Sequence, residues 1–509
     1  MLVFIIRRLI VSFFVLLAAT AIVYVLTANS GDPLFDLRQD NSPSRDQKIA
    51  ARKEVMNLNV PVPARYLLWL RGVAGCVLPF ASCDLGKNRY GQDVSTILGQ
   101  AMSSTLRLVL TAALVAIVVG ITIGILSALR QYSGFDYSIT FAAFVFFSLP
   151  SFWVAVLLKQ YGAILFNDWL ADPTIPILVI VVVALLSGLA WMALIGGNRK
   201  KRALVFALAT AATGGVLLYL SLVNWFATPS LGIALIAVSA IGIAFVVTAL
   251  ISGLAKRSVL YSALAAAAVG VISFFVTQPV LINPGWEHIV MLAAITVAVC
   301  LALGYFLGGL ERSAAMRAAV LTGLLTGALI FWDHVLLAFP SYSDRVRGRV
   351  ISTIGSDTPN FSGDFWQVWL DHQTHIILPT TALILISFAT YTRYTRASML
   401  EVLNQDYVRT ARSKGLTERT VIMRHAFRNA LIPVTTLMAF DFAGIIGGAI
   451  ITEKVFGWKG MGTMFNTGLN EVDPNPVMGF FLVTGTAIVL FNMVADILYA
   501  YLDPRIRLA

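Results

Sequence analysis

Apolar residues in this chain come in long, nearly charge-free blocks rather than in alternating runs. Blocks lie at about residues 9–27, 104–128, 138–166, 174–196, 203–223, 230–253, 259–281, 288–310, 317–337, 373–394, 429–452 and 477–501. Each is long enough for a helix rising about 1.5 Å per residue to cross roughly 30 Å of hydrocarbon. Lipid offers no partner to bare N–H and C=O groups, so every block should be a helix. The pattern predicts an all-α polytopic membrane protein of twelve spans.

Composition agrees. Of 509 residues, 58% are hydrophobic and 12% charged, and the mean hydropathy is +0.81, which excludes a soluble globule. The first block follows Arg7 and Arg8, as in a signal peptide. Its length, with no small-residue cleavage site after it, marks a retained span. Three cysteines define no disulfide framework. Cys76 and Cys83 are close enough to bridge on an oxidising face, although spacing alone does not fix geometry.

Basic residues orient the spans. With both termini cytoplasmic, Arg130, the run Arg199-Lys200-Lys201-Arg202, Lys256, Arg257, Arg312, Arg317, Arg505 and Arg507 fall inside, with eight basic residues between Arg393 and Arg428. The short outer loops near 167–173, 224–229 and 282–287 hold none, as the Lys/Arg bias of short loops requires. The longer segments 28–103 and 338–372 then lie outside, the first polar enough to fold as a small external cap.

The densest cytoplasmic patch is "YVRTARSKGLTERTVIMRHAFRNALIP", residues 407–433. Leu400, Leu403, Tyr407, Val408 and Ala411 fall on one stripe of a helix whose other face holds Asn404, Asp406, Arg409 and Arg412. Gly415 suits a left-handed stop, and Thr417 with Glu418 suits the start of a second helix. Positive charge alone would hold the loop inside. A helix, glycine break and helix looks made to dock on a cytoplasmic partner.

These residues, together with "FIIRRLIVSFFVLL", "SGDP", "ARYLLWL", "CDLGKNRYGQDV", "SSTLRLVLTAALVAIVVGITIGILSAL", "SLPSFWVAVLL", "HIILPTTALILISFATYTRYTRASMLEVLNQDYVRTARSKGL", "ITEKVFGWKGMG" and "DILYAYLDPRIR", resemble the first permease subunit of the dipeptide/oligopeptide ABC importers. The likeness covers roughly 1–170 and 370–509. It implies a type I, MetI-like permease core of six helices in the bacterial plasma (inner) membrane. That core would pair with a second permease subunit, two cytoplasmic ATPases carrying ATP and Mg, and an extracytoplasmic solute-binding protein that delivers a peptide. By the resemblance, Tyr407, Arg409, Thr410, Ala411, Arg412, Gly415 and Leu416 couple to the ATPase. Arg409 stands where the general importer signature has Glu, and the pattern around His425 and Arg428 also differs.

The resemblance and the blocks divide the chain into a first helix (1–27), an outer segment (28–103), core helices (104–170), an inserted six-helix block (171–340), a second outer segment (341–372) and the remaining core (373–509) with its coupling loop at 395–428. An even number of inserted spans keeps that loop inside. No G-x-x-x-x-G-K-[ST] phosphate cradle occurs, so ATP hydrolysis is assigned to partner chains. No catalytic arrangement is discernible, no cofactor is assigned to this chain, and no nucleic acid partner is expected.

Charges within spans are costly and therefore candidates for function. Asp441 is placed either on the translocation pathway, favouring a peptide's amino terminus, or in a helix-to-helix contact. Asn492 and Asp496, one turn apart, carry the same two readings. Asp371, His372 and His375 supply two imidazoles and an acid at helical spacing, short of a complete metal site. The same machinery serving nickel chelates or oligosaccharides is the alternative cargo reading. A self-sufficient secondary transporter would need ion relays of which the spans carry few.

Overall fold

The computed structural model describes residues 2–77 and 82–502; the side chains at 2–5, 77, 439–440, 442–448, 495–496 and 498–502 lie outside the description. Helices dominate it, with an isolated antiparallel bridge between Lys87 and Asp93. Among the described residues ten helices are long and apolar enough to cross a membrane, or eleven if a bent pair counts as one span. The remaining apolar block, 429–452, coincides with helix Phe427–Gly448, most of whose far end lies outside the described side chains.

The block at 138–166 is not one straight rod. Its halves, Gly134–Ser148 and Ser151–Leu170, meet at 101°. Pro150 has no N–H to continue the ladder and pushes the residue before it out of the helical region. Leu149 accordingly sits at φ −79°, ψ 130°.

The chain forms two compact units. The first comprises Met1–Gly162, Thr353–Ser356 and Ile376–Ala509; the second comprises Ala163–Ser352 and Asp357–His375.

In the first unit, helix Val94–Leu129 packs along the part of Phe365–Leu403 that follows Ile376. Gly120 and Gly124 permit the contact. A Cβ added to Gly120 would lie 2.6 Å from the Cβ of Tyr391, and one on Gly124 would lie 2.7 Å from the Cβ of Thr395. Segment 28–103 begins with short helices, Phe35–Arg38, Arg45–Val55 and Val62–Val77. The last lies on the first span, where Tyr66 donates to the Leu17 carbonyl at 3.1 Å and packs with Tyr24, Trp69 and Met478. Cys76 and Cys83 are joined by a disulfide.

In the second unit, Ile177–Ile195 and Arg199–Leu222 form a hairpin pinned by a 2.8 Å hydrogen bond between the Ser187 and Thr213 hydroxyls. Helices Gly232–Ile251, Arg257–Val276 and Arg312–Leu337 pack through alanines, among them Ala240, Ala244, Ala263, Ala315 and Ala318. Small side chains let backbones approach closely, the usual substitute for hydrophobic drive inside a bilayer. Asp333 is buried and accepts from the Leu231 and Gly232 N–H groups at 2.8 and 3.0 Å, capping a helix start. Asp371 is equally buried, accepting from Thr358 N, Thr358 Oγ1 and Tyr342 Oη at 2.9, 2.6 and 3.2 Å. His375 Nδ1 sits 2.7 Å from the Asp371 carbonyl. Asp371 thus knits its helix to the loop before it through Thr358.

Candidate functional site

The sequence-predicted helix through Leu400 and Ala411 is interrupted. Phe365–Leu403 ends, Gln405 turns into extended backbone at φ −73°, ψ 149°, and a new helix runs Asp406–Ser413. The break frees the short helix to lie at its own angle. Val408 and Ala411 form its inner face, buried against Ala128, Met399, Val421, Ala426 and Ala430. Tyr407, expected on the apolar stripe, is instead 42% exposed.

Outward, Tyr407, Arg409, Thr410, Arg412, Gly415 and Leu416 are all exposed, whereas Ala411 points inward. Arg412 Nε donates to Glu418 Oε1 at 2.8 Å, tying the helix to the turn that follows. Gly415 has φ +76°, a conformation that carries a steric cost for a residue with a Cβ. Thr417 Oγ1 accepts from Thr420 N at the start of Glu418–Thr420, which passes through a π turn, Val421–Ala426, into Phe427–Gly448. The result is an exposed polar surface seated on the ends of three apolar helices.

Just behind this surface lies an ion pair that span-by-span reading missed. Arg396 donates from Nε to Asp136 Oδ1 at 2.7 Å and from Nη2 to Asp136 Oδ2 at 2.9 Å. The carboxylate also accepts from Ser127 Oγ and from Tyr132 N, and Asp136 is 2% exposed. At the other end of Val94–Leu129, Glu453 is fully buried. It accepts from Thr105 Oγ1 at 2.7 Å and Thr463 N at 2.9 Å, while Thr105 Oγ1 accepts from Met461 N at 2.8 Å. This network folds "ITEKVFGWKGMG" into Ile450–Phe456, a left-handed Gly457 and Met461–Asn470. Lys159 Nζ donates to the Val455 carbonyl at 3.1 Å.

The loop after Met461–Asn470 receives residues 87–90. Asp473, 2% exposed, accepts from Arg89 N at 2.6 Å, Tyr90 Oη donates to Glu471 Oε1 at 2.6 Å, and Asn475 Nδ2 donates to the Lys87 carbonyl at 2.7 Å. "CDLGKNRYGQDV" and "NEVDPNP" therefore form one clasp. Burial pushes the Asp473 carboxyl up to about 6, since a charge taken out of water is disfavoured.

The intramembrane candidates separate. Asp441 on Phe427–Gly448 faces Tyr391 on Phe365–Leu403, a position between two core helices. Asn492 lines a groove between the first and last spans, beside Arg8, Ser12 and Thr484. The side chain of Asp496 lies outside the described residues. Asp441 is not among the residues that line that groove.

A family model described as "Binding-protein-dependent transport system inner membrane component" matches residues 120–508. The chain is 37% identical over 194 residues to the oligopeptide transport system permease protein OppB of Mycobacterium bovis, covering 38% of this chain and 60% of that relative. It is 36% identical over 250 residues to the dipeptide transport system permease protein DppB of Escherichia coli K12, covering 44% and 74%. Against DppB of Alkalihalophilus pseudofirmus the identity is 43% over 167 residues, covering 32% and 50%. The matched region thus spans less than two thirds of the mycobacterial protein.

Proposed function

Because the chain belongs to the family of binding-protein-dependent transport system inner membrane components, we propose that it is the permease subunit of an ATP-driven importer of dipeptides or oligopeptides. Its setting is the bacterial inner membrane, which it crosses several times. A second permease subunit, two cytoplasmic ATPases and an extracytoplasmic solute-binding protein complete the machine in this reading. The peptide cargo follows the names of the relatives.

The observation that carries the proposal is the Asp406–Ser413 helix: anchored by Val408 and Ala411, it presents Tyr407, Arg409, Thr410 and Arg412 outward. Such a helix would fit a cleft in an ATPase. Gly415 and Leu416 flank the contact, and Ala411 serves it from beneath. Closure of the ATPases around nucleotide would move the helix. Its packing on the Val94–Leu129, Phe365–Leu403 and Phe427–Gly448 helices passes that displacement to the core, which alternates between inward-open and outward-open forms.

Two features support the twelve-span topology. Ser127, bonded to Asp136, and Thr105, bonded to Glu453, lie on one helix, separated by about 33 Å of rise, a full hydrocarbon thickness. The bent pair runs from Asp136 at the first of these levels to Lys159, which touches Val455 near the second, as a crossing segment does and a re-entrant loop does not. The disulfide within 28–103 favours an oxidising outer face for that segment.

The test is reconstitution with partner subunits in proteoliposomes. ATP-dependent uptake of a labelled dipeptide, abolished without the binding protein, is expected. Uptake without ATPases would establish a self-sufficient transporter instead. A cysteine placed at Arg409 should crosslink to an ATPase; a cysteine at Glu287 should not.

A further inference from the structure

Helices Arg257–Val276, Trp286–Leu307 and Arg312–Leu337 of the second unit are packed differently at their two ends. At one end Trp286–Leu307 and Arg312–Leu337 touch backbone to backbone, where a Cβ on Gly304 would lie 2.4 Å from the Cα of Met316, and Ala263, Ala315 and Ala318 are fully buried. Towards the other end they part around a cleft of about 340 Å³. Along Trp286–Leu307 its lining runs from Ile289 to Cys300, about 16 Å at 1.5 Å per residue, or half of a hydrocarbon core.

The chemistry of the lining selects the occupant. Ser273, Thr277 and Thr296 donate their hydroxyls to the Gly270, Ser273 and Leu292 carbonyls at 2.7, 2.8 and 2.8 Å, so each is already satisfied within its own helical stretch. The remaining walls are apolar, with Phe331, Leu324 and Val299 prominent. A buried water needs two to four polar partners, and an apolar cavity of about 150 Å³ stays dry and takes up benzene. This cleft has more than twice that volume. Leaving it empty forfeits dispersion contacts on every side. The cleft opens on the apolar surface of the spans, since Val269 and Ile295 both line it and are exposed. Acyl chains reach it laterally without crossing a polar barrier.

We propose that this cleft holds a single acyl chain of a membrane lipid drawn from one leaflet. The leaflet is the outer one in the orientation argued under the proposed function, and only that clause rests on it. Occupancy seals the loose half of the three-helix group while the alanine-packed half needs no filler.

The full chain, reconstituted in phosphatidylethanolamine and phosphatidylglycerol vesicles with a trace of phosphatidylglycerol bearing a diazirine on its palmitoyl chain, tests this directly. After irradiation, labelled peptides should map to 289–300 and 323–331 several-fold above the lipid-facing Ile177–Ile195 helix. Gly327 lines the cleft, and a Cβ there meets nothing within 4 Å. Gly327→Leu should therefore fill it, removing the excess label while leaving that on Ile177–Ile195 unchanged; Ala328→Leu is the second variant. Cleft labelling no greater than that of Ile177–Ile195, or unaltered in both folded variants, overturns the proposal. With the probe confined to one leaflet, labelling from the inner leaflet alone overturns the outer-leaflet clause and its orientation, and leaves the bound chain standing.

Discussion

Arg396 holds Asp136 through two parallel hydrogen bonds of 2.7 and 2.9 Å, joining the helix that leads towards Asp406–Ser413 to the start of the bent pair. The carboxylate is almost wholly buried and the guanidinium partly so. Removing one partner of a buried pair strands the other charge, at about 3–5 kcal/mol. Arg396→Ala should therefore lower the midpoint of thermal unfolding markedly. Arg396→Lys should recover only part of the loss, because an ammonium cannot match both oxygens. Melting measured in detergent checks both; equal stability of wild type and Arg396→Ala would contradict the arrangement.

Gly120 and Gly124 give a second prediction. A Cβ on Gly124 would stand 2.7 Å from Thr395 Cβ and 2.9 Å from the Thr392 carbonyl, so backbone must move before alanine fits. Overpacking a tight contact costs about 1–3 kcal/mol. Gly124→Val should reduce the folded fraction on size-exclusion chromatography more than Gly215→Val. Gly215, on a span of the other unit, has nothing within 4 Å of its added Cβ.

What the sequence disclosed follows from how each feature is encoded. Spans are written locally, because lipid demands a continuous apolar run, and helices occupy the blocks from 9–27 to 477–501. The inward face of Val408 and Ala411 is local too, a spacing of three. The interruption at Gln405 escaped the periodicity because the apolar stripe continues across it. The bend at Pro150 did carry a signal, the Leu-Pro step. Glu453 with Thr105, and Asp136 with Arg396, are 348 and 260 residues apart in the chain. Nothing in either neighbourhood names the partner; only the folded helices bring them together. Asp441 was legible as an expensive charge, while its neighbour Tyr391 was not.

The exposed and buried faces of the Asp406–Ser413 helix should respond differently to substitution. Arg412 and Glu418 form an exposed pair, a class worth about 0.2–1 kcal/mol, so Arg412→Ala should leave the melting midpoint almost unchanged. On the proposed coupling role, stimulation of partner ATPases by peptide-loaded binding protein should nevertheless fall. Val408→Asp puts an unpaired charge at a site with no exposure and should lower stability and coupling together. Parallel melting and ATPase assays separate the two. A large loss of stability in Arg412→Ala would mean that the outer face is structural.

Asp473 makes stability depend on pH. Its carboxyl in the folded protein holds a proton up to about pH 6, against an ordinary value of 3.8. Between these limits the folded state binds more protons than the unfolded one, so raising the pH costs stability. The contribution is complete below about pH 4 and is lost as pH rises through 6. Asp473→Asn keeps an acceptor for Arg89 N and cannot ionise, so its unfolding midpoint should decline less than that of the wild type over this interval. Above pH 6 the buried wild-type carboxylate carries a desolvation penalty that the amide escapes. Differential scanning calorimetry of both proteins from pH 4 to 7 reads the difference directly. Parallel profiles would show that Asp473 titrates as an ordinary exposed carboxylate and that the clasp with Arg89 is not closed in solution.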